Sequence, residues 1–188
     1  METRNGKVAL ITGGNKGLGK EIGRQLGALG YTVVLTARNE QAGSAAAAEL
    51  VAAGYDAHTV RLEVTNPDDI ASLVSYLETT FGKLDVLVNN AGISIEWDGK
   101  PTNADKVRRT LEVNLVAPYA ITEALVPLLS CSDDARVINQ SSMTWSIKSR
   151  RFSKLLFSKP VDSQKPRDSN IPNMNDGACC YKTFRYSR

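Results

Sequence analysis

The sequence predicts an α/β fold built as a doubly wound parallel sheet, and three observations carry that prediction. Strand-like and helix-like segments alternate through residues 1–145. The connections between them are short, which argues for a parallel sheet, and right-handed crossovers then favour a doubly wound arrangement. The first strand-like run also ends in a glycine-rich turn, TGGNKGLG at 12–19, that leads directly into helical periodicity.

Each element has its own signal. Residues 8–12 (VALIT) are a continuous apolar run, which suits a strand covered on both faces. Ile22, Leu26 and Leu29 then repeat at helical spacing, and the helix ends near Gly30. Residues 32–36 (TVVLT) are rich in β-branched side chains and predict strand two. Asn39 is placed to cap an alanine-rich helix that runs to Ala53 and stops at Gly54. Residues 59–64 alternate, with Val60, Leu62 and Val64 on one face, and predict strand three. In TNPDD, Asn66 is an N-cap, Pro67 takes the first helical position, and Asp68 and Asp69 favour the helix dipole. Ile70, Leu73, Val74, Leu77 and Phe81 supply that helix's apolar stripe. Residues 84–88 predict strand four, 103–129 a long helix, and 136–139 strand five.

The totals allow one domain with a full core. No run approaches the ~20 apolar residues of a membrane span, and the start, METRNGKVAL, lacks a secretory leader, so a cytoplasmic location is the default expectation. The three cysteines show no metal-ligand or disulfide spacing. His58 has no second ligand at a recognisable spacing, so no metal site is expected. Charge divides the chain. Residues 1–145 carry 13 basic against 17 acidic side chains, a net −4; residues 146–188 carry 10 against 3, a net +7. The second segment has no Glu, one Ala and seven Ser. The expectation is therefore a domain over 1–145 and an irregular, poorly ordered basic tail over 146–188.

The glycine turn has a chemical reading. A strand-to-helix turn lies at the carboxyl edge of a parallel sheet, where the helix N-terminus offers unpaired N–H groups and a positive dipole end. Phosphate binds at such an end. Gly13 suits the tight turn, Gly17 the close approach of backbone to a pyrophosphate, and Gly19 the close packing of helix on sheet. A purely structural turn is the alternative.

TGGNKGLG resembles the cofactor loop of the short-chain dehydrogenase/reductase family. Asn89-Asn90-Ala91-Gly92 matches that family's NNAG motif, Asn114 lies where it has a helical asparagine, and VINQSS at 137–142 resembles its strand-five motif. The combination with VVLTAR and LDVLVNNAGI is most similar to the carbonyl-reductase branch. The resemblance covers about residues 5–145 and implies a Rossmann-type fold. It puts the cofactor contacts on Gly13, Asn15, Lys16, Gly17, Leu18, Gly19, Arg38, Glu63, Val64, Asn90, Ala91 and Gly92. Glu63 stands where the family usually has aspartate.

Strand two ends Thr36-Ala37-Arg38, with no carboxylate to hold a ribose 2′-hydroxyl. Arg38 can fork onto a 2′-phosphate and Lys16 adds a second cation, which favours NADP(H) over NAD. The resemblance further implies hydride transfer between nicotinamide and a carbonyl or alcohol, with Ser142 bonding the substrate oxygen. It implies a tyrosine as acid, followed four residues later by a lysine. A free phenol titrates near ~10 and needs a nearby cation to act at neutral pH. In a continuous helix, Pro118 lacks the N–H that would pair the Asn114 carbonyl; the resemblance implies that this carbonyl holds a water, and a Pro-kinked helix with no chemistry is the alternative, which the residues alone favour.

No tyrosine in the sequence is followed by lysine at the fourth position. Tyr181, with Arg185 in that place, is the weak candidate for the acid. The chain ends before the family's later strands and substrate-binding segments, which leaves strand five as a sheet edge open to self-association. Three functions compete: an NADPH-dependent carbonyl reductase, a non-catalytic NADP(H)-binding module or altered gene product, and a nucleic-acid or acidic-surface binder using the tail. The tail's aromatics form no stacking series, which disfavours the third.

Overall fold

The computed structural model describes residues 6–95, 101–141 and the backbone of 180–185. The chain divides into one unit of residues 1–139 with 183–188, and a second of 140–182. The core and the cavity-lining residues described below lie in the first.

Strands β1 (Val8–Ile11), β2 (Thr32–Ala37), β3 (Ala57–Arg61), β4 (Val86–Asn89) and β5 (Arg136–Ser141) pair in parallel. With β6 (Cys180–Arg185) the sheet order is β3-β2-β1-β4-β5-β6. The sequence order reverses direction at β1, so the connecting helices fall on opposite faces of a doubly wound, Rossmann-type sheet. The alternation within β1 shows why all four of its residues are buried. Val8 and Leu10 join one core with Leu73, Leu77, Leu87, Ile121 and Leu125. Ala9 and Ile11 join the other with Val33, Leu35, Ala46 and Leu50. Successive side chains point to opposite faces, and both faces are covered.

Helices α1 (Gly17–Ala28), α2 (Glu40–Ala52) and α3 (Pro67–Phe81) follow the first three strands. Asn39 caps α2 by accepting from the Ala42 N–H at 2.8 Å, and Asn66 caps α3 by accepting from Asp68 and Asp69. Leu29 does not join the α1 stripe. It is 68% exposed, and the buried positions of α1 are Gly19, Gly23 and Gly27. A Cβ on Gly23 would come 2.8 Å from Leu35, so this helix meets the sheet through its own backbone. A glycine face carries no apolar signal in sequence.

β3 lies two to three residues earlier than the alternation of 59–64 predicts. Its last rung pairs Ala37 with Arg61, and the Leu62 N–H closes the ladder on the Ala37 carbonyl at 3.0 Å. Leu62 and Val64 are buried as expected, but in the loop beyond the strand. β4 likewise starts two residues late. Leu84 and Asp85 are buried ahead of it, with the Asp85 carboxylate accepting from the Val8 N–H at 2.8 Å and the Ser132 hydroxyl at 2.6 Å.

The long helix is three segments: α4 (Ala104–Leu111), a π-helical turn (Glu112–Val116) and α5 (Ala117–Leu129). Asn103 caps α4 through the Lys106 N–H. By length and composition alone, 104–129 is long and apolar enough to cross a bilayer, a test that core helices also pass. Its α5 portion buries Ala117, Ile121, Leu125, Leu128 and Leu129 in the core, as a packed helix of a folded domain does. β6 lies beside β5 in the sheet order. That strand arises within the segment expected to be irregular.

Candidate functional site at the carboxyl edge of the sheet

The turn after β1 is shaped by left-handed backbone at Gly13 (φ 64°) and Gly17 (φ 55°), a region that residues bearing a Cβ rarely enter. A Cβ at 13 would also lie 3.0 Å from the Ala91 Cα. At Gly19 a Cβ would collide with the Asn90 amide and the Gly13 carbonyl. Gly19 therefore allows α1 to approach the loop after β4; the helix-to-sheet approach expected of it is made by Gly14 and Gly23 against Leu35.

Two side chains lace these loops together. The Thr12 hydroxyl accepts from the Asn90 and Ala91 N–H groups, both at 3.0 Å, and donates to the Val88 carbonyl at 3.4 Å. The Asn90 amide donates to the Thr12 and Gly13 carbonyls at 2.8 and 3.1 Å. Asn90 thus spends its amide nitrogen on holding the glycine turn. Thr12 was absent from the residues singled out in the sequence, although its place at the strand end, one residue before the first glycine, is the available signal.

The helix that starts here is left open. Lys16 occupies the N-cap of α1 without a side-chain cap, and no acid lies in the first turn. α2, α3 and α4, by contrast, are each capped by asparagine. The N-terminal N–H groups of α1 are therefore available at the loop, where the helix dipole adds positive potential.

The loop opens onto a cavity of about 540 Å³, well within the range of small-molecule sites. Every one of Gly13, Asn15, Lys16, Gly17, Leu18, Gly19, Arg38, Glu63, Val64, Asn90, Ala91 and Gly92 lines it. Sequence reasoning missed Arg109, Glu112 and Val113, which form a further wall from α4 and the π turn, together with Ile93. They sit on a helix far along the chain, and only the fold brings them in. Arg38 and Glu63 face each other across the ends of β2 and β3, with guanidinium and carboxylate 3.9 Å apart. Asp69 fixes the second of these ends, accepting from the Glu63 N–H at 2.7 Å and from Arg61 at 2.6 Å.

Asn114 lies in the π turn and is bonded twice to one residue. It accepts from the Ile93 N–H at 2.8 Å and donates to the Ile93 carbonyl at 2.7 Å. The π turn alters the argument about its carbonyl. The Ala117 N–H donates to the Glu112 carbonyl five residues back, and the same register sets Pro118 opposite Val113. The premise of a continuous α-helix through Asn114 is therefore replaced by a π turn centred on it. Beside it, Asn89 donates to Thr122 and Asn139 at 3.1 and 2.8 Å, joining β4, α5 and β5 at their site ends.

Ser142 lies outside the described residues. Tyr181 falls in β6, of which only the backbone is described. His58 lies at the opposite, amino edge of the sheet. Its ring is 3.3 Å from the Tyr76 hydroxyl and 3.3 Å from Asp56, and it meets Phe81 edge-on. No group of three metal-ligand side chains occurs among the described residues.

Residues 7–154 match the family model for the short chain dehydrogenase. The match continues past the break near residue 145 inferred from composition. The chain is 39% identical over 159 residues to short-chain dehydrogenase/reductase 1 of Saponaria officinalis, covering 72% of this chain and 53% of that protein. It is 40% identical over 139 residues to carbonyl reductase [NADPH] 3 of Rattus norvegicus, covering 73% and 49% respectively. A metagenomic short-chain oxidoreductase solved in complex with NADP superposes with a TM-score of 0.60 at 38% identity, over 66% of this chain and 57% of that one. The chain spans about half the length of the curated relatives it matches. With the family model matched over most of its length and the glycine turn at the expected sheet edge, the chain belongs to the short-chain dehydrogenase family.

Proposed function

We propose that this chain binds NADP(H) in the cavity at the carboxyl edge of its sheet, as the cofactor domain of a reductase of the carbonyl-reductase branch. The observation that carries the reading is the gathering of the uncapped α1 N-terminus, Lys16 and Arg38 around one cavity. The donors fit the group: free helix N–H groups suit a pyrophosphate, and two cations at the adenosine end suit a 2′-phosphate. Gly13 and Gly19 let the turn and the start of α1 pack against the loop after β4, which fixes the shape of the cavity floor. When bound, the nicotinamide supplies the hydride.

The chain's own residues orient and hold. Thr12 and Asn90 fix the two loops against each other, and Asn114 fixes Ile93 at the cavity wall. In the family, Ser142 is the group that bonds the substrate oxygen. The sequence contains no Tyr-x-x-x-Lys pair. We assign this 188-residue form weak or no turnover, since loss of a general acid alone costs about 10²–10⁴-fold. A non-catalytic NADP(H)-binding role is the second reading, favoured by that same missing pair.

The test is a fluorescence titration of the purified chain with NADPH and, separately, NADH. Binding of NADPH at least about tenfold tighter than NADH supports the assignment of Lys16 and Arg38. Failure of soluble, folded protein to bind either cofactor overturns the reading. NADPH oxidation that depends on added carbonyl compound, at rates ordinary for reductases, overturns the assignment of weak turnover.

A further inference from the structure

Arg38 is not a free cation. The last rung of the β2–β3 ladder, with the Leu62 N–H on the Ala37 carbonyl at 3.0 Å, sets residues 38 and 63 side by side as the two strands end. The Glu63 backbone is held there by Asp69, and its carboxylate accepts from the Thr65 hydroxyl at 3.4 Å. From that position the carboxylate lies 3.9 Å from the guanidinium, and both side chains line the cavity. The separation is too long for a hydrogen bond, so the pair is Coulombic and leaves the fork of N–H donors free to engage another anion.

From this we infer that Glu63 is a specificity-determining residue: its carboxylate partly neutralises Arg38 and lowers the site's affinity for a 2′-phosphate, narrowing the preference for NADP(H) over NAD(H). The inference rests on the proposed cofactor assignment and deepens it. A 2′-phosphate arrives with a charge of about −1.5 to −2 at neutral pH. The cavity wall carries Lys16, Arg38 and Arg109, but also Glu63 and Glu112. Glu63 is the carboxylate placed on the cation expected to take the phosphate, so the incoming anion must share Arg38 with it. A glutamate reaches one methylene further toward Arg38 than an aspartate would. The pair is partly exposed, with side-chain accessibilities of 68% and 33%, which keeps its effect modest.

The experiment uses adenosine 2′,5′-bisphosphate and 5′-AMP as probes, titrated calorimetrically into the full chain and into E63Q, R38A and R38A/E63Q. E63Q is expected to bind the bisphosphate about two- to five-fold tighter relative to 5′-AMP, each variant's own 5′-AMP affinity being the reference. In the R38A background, the same substitution is expected to have no such effect. Unchanged or weaker bisphosphate binding by E63Q overturns the inference. So does equal tightening with and without Arg38, because a general reduction of negative charge would then suffice. The underlying cofactor assignment fails separately: the wild-type chain would show no preference for the bisphosphate over 5′-AMP, or R38A would keep that preference. Either of those results removes both claims.

Discussion

A methyl group at position 13 would sit 3.0 Å from the Ala91 Cα, on backbone already at φ 64°. Neither the turn nor the neighbouring main chain can yield without moving the floor of the cavity. Gly13→Ala is expected to cost about 1–3 kcal/mol of stability and to weaken NADPH binding by at least about tenfold. Urea unfolding and fluorescence titration measure the two, and an unchanged affinity would show that the loop shape is unimportant. At the other edge of the sheet, burial raises the pKa of Tyr76, the Asp56 charge adds to the rise, and a hydrogen bond to Thr80 opposes it. Above pH about 10 an unfolded tyrosine ionises while Tyr76 keeps its proton, so the unfolded chain binds fewer protons than the folded one. Stability is therefore fully present below that pH and falls as pH rises toward the folded value. Tyr76→Phe should remove this contribution from the alkaline limb, which chemical denaturation at pH 8 to 11 would reveal.

Among the elements, the caps are the most legible feature of the sequence. Asn39 and Asn66, the two caps read from sequence, each accept from N–H groups two or three residues on, and Asn103 caps α4 in the same way without having been read as a cap. Asn66→Ala is expected to cost about 0.5–2 kcal/mol in thermal or denaturant unfolding, and no loss would mean that Pro67 alone sets the start of α3. The glycine turn, the five parallel strands and the stripe of α3 were legible for a similar reason: each is written in neighbouring residues. What was not legible depends on distant partners. β3 ends where β2 can no longer pair with it, and the alternation of Val60, Leu62 and Val64 continues past that point for the sake of burial. The π turn is invisible to a reading by α-helical spacing, and Pro118 signals only that some carbonyl nearby lacks its usual donor. Arg109 and Glu112 reach the cavity through that turn and its flanking helix, so their place in the site could not be read from sequence spacing.

For the molecule as a whole, Asp85 is the point where distant segments meet. Its buried carboxylate binds the start of β1 and Ser132 ahead of β5, and lies 3.3 Å from Lys83. Its own N–H and carbonyl pair with Val8 and Arg136. Asp85→Ala leaves a buried main-chain donor and a hydroxyl without their acceptor and is expected to cost about 3–5 kcal/mol. A loss below about 1 kcal/mol in urea unfolding would show that water replaces the carboxylate. Ligand linkage offers a second measurement at this scale. NADPH at 100 times its Kd should add about 2.7 kcal/mol of apparent stability, and NADH at the same concentration should add less.

The two layers of helix grip the sheet differently. α3 and α5 press leucine and isoleucine side chains into it, whereas α1 rests on glycines and α2 is largely alanine on its buried side. Only Ile22, Leu26 and Leu50 supply large apolar contacts from the α1–α2 layer, fewer than α3 and α5 supply, so its amides should exchange with deuterated solvent through local openings before those of α3 and α5 do. A dinucleotide clasped at the head of α1 would then act as a fastener for that looser layer. The slowing of exchange on binding should be concentrated there, even at amides remote from the ligand.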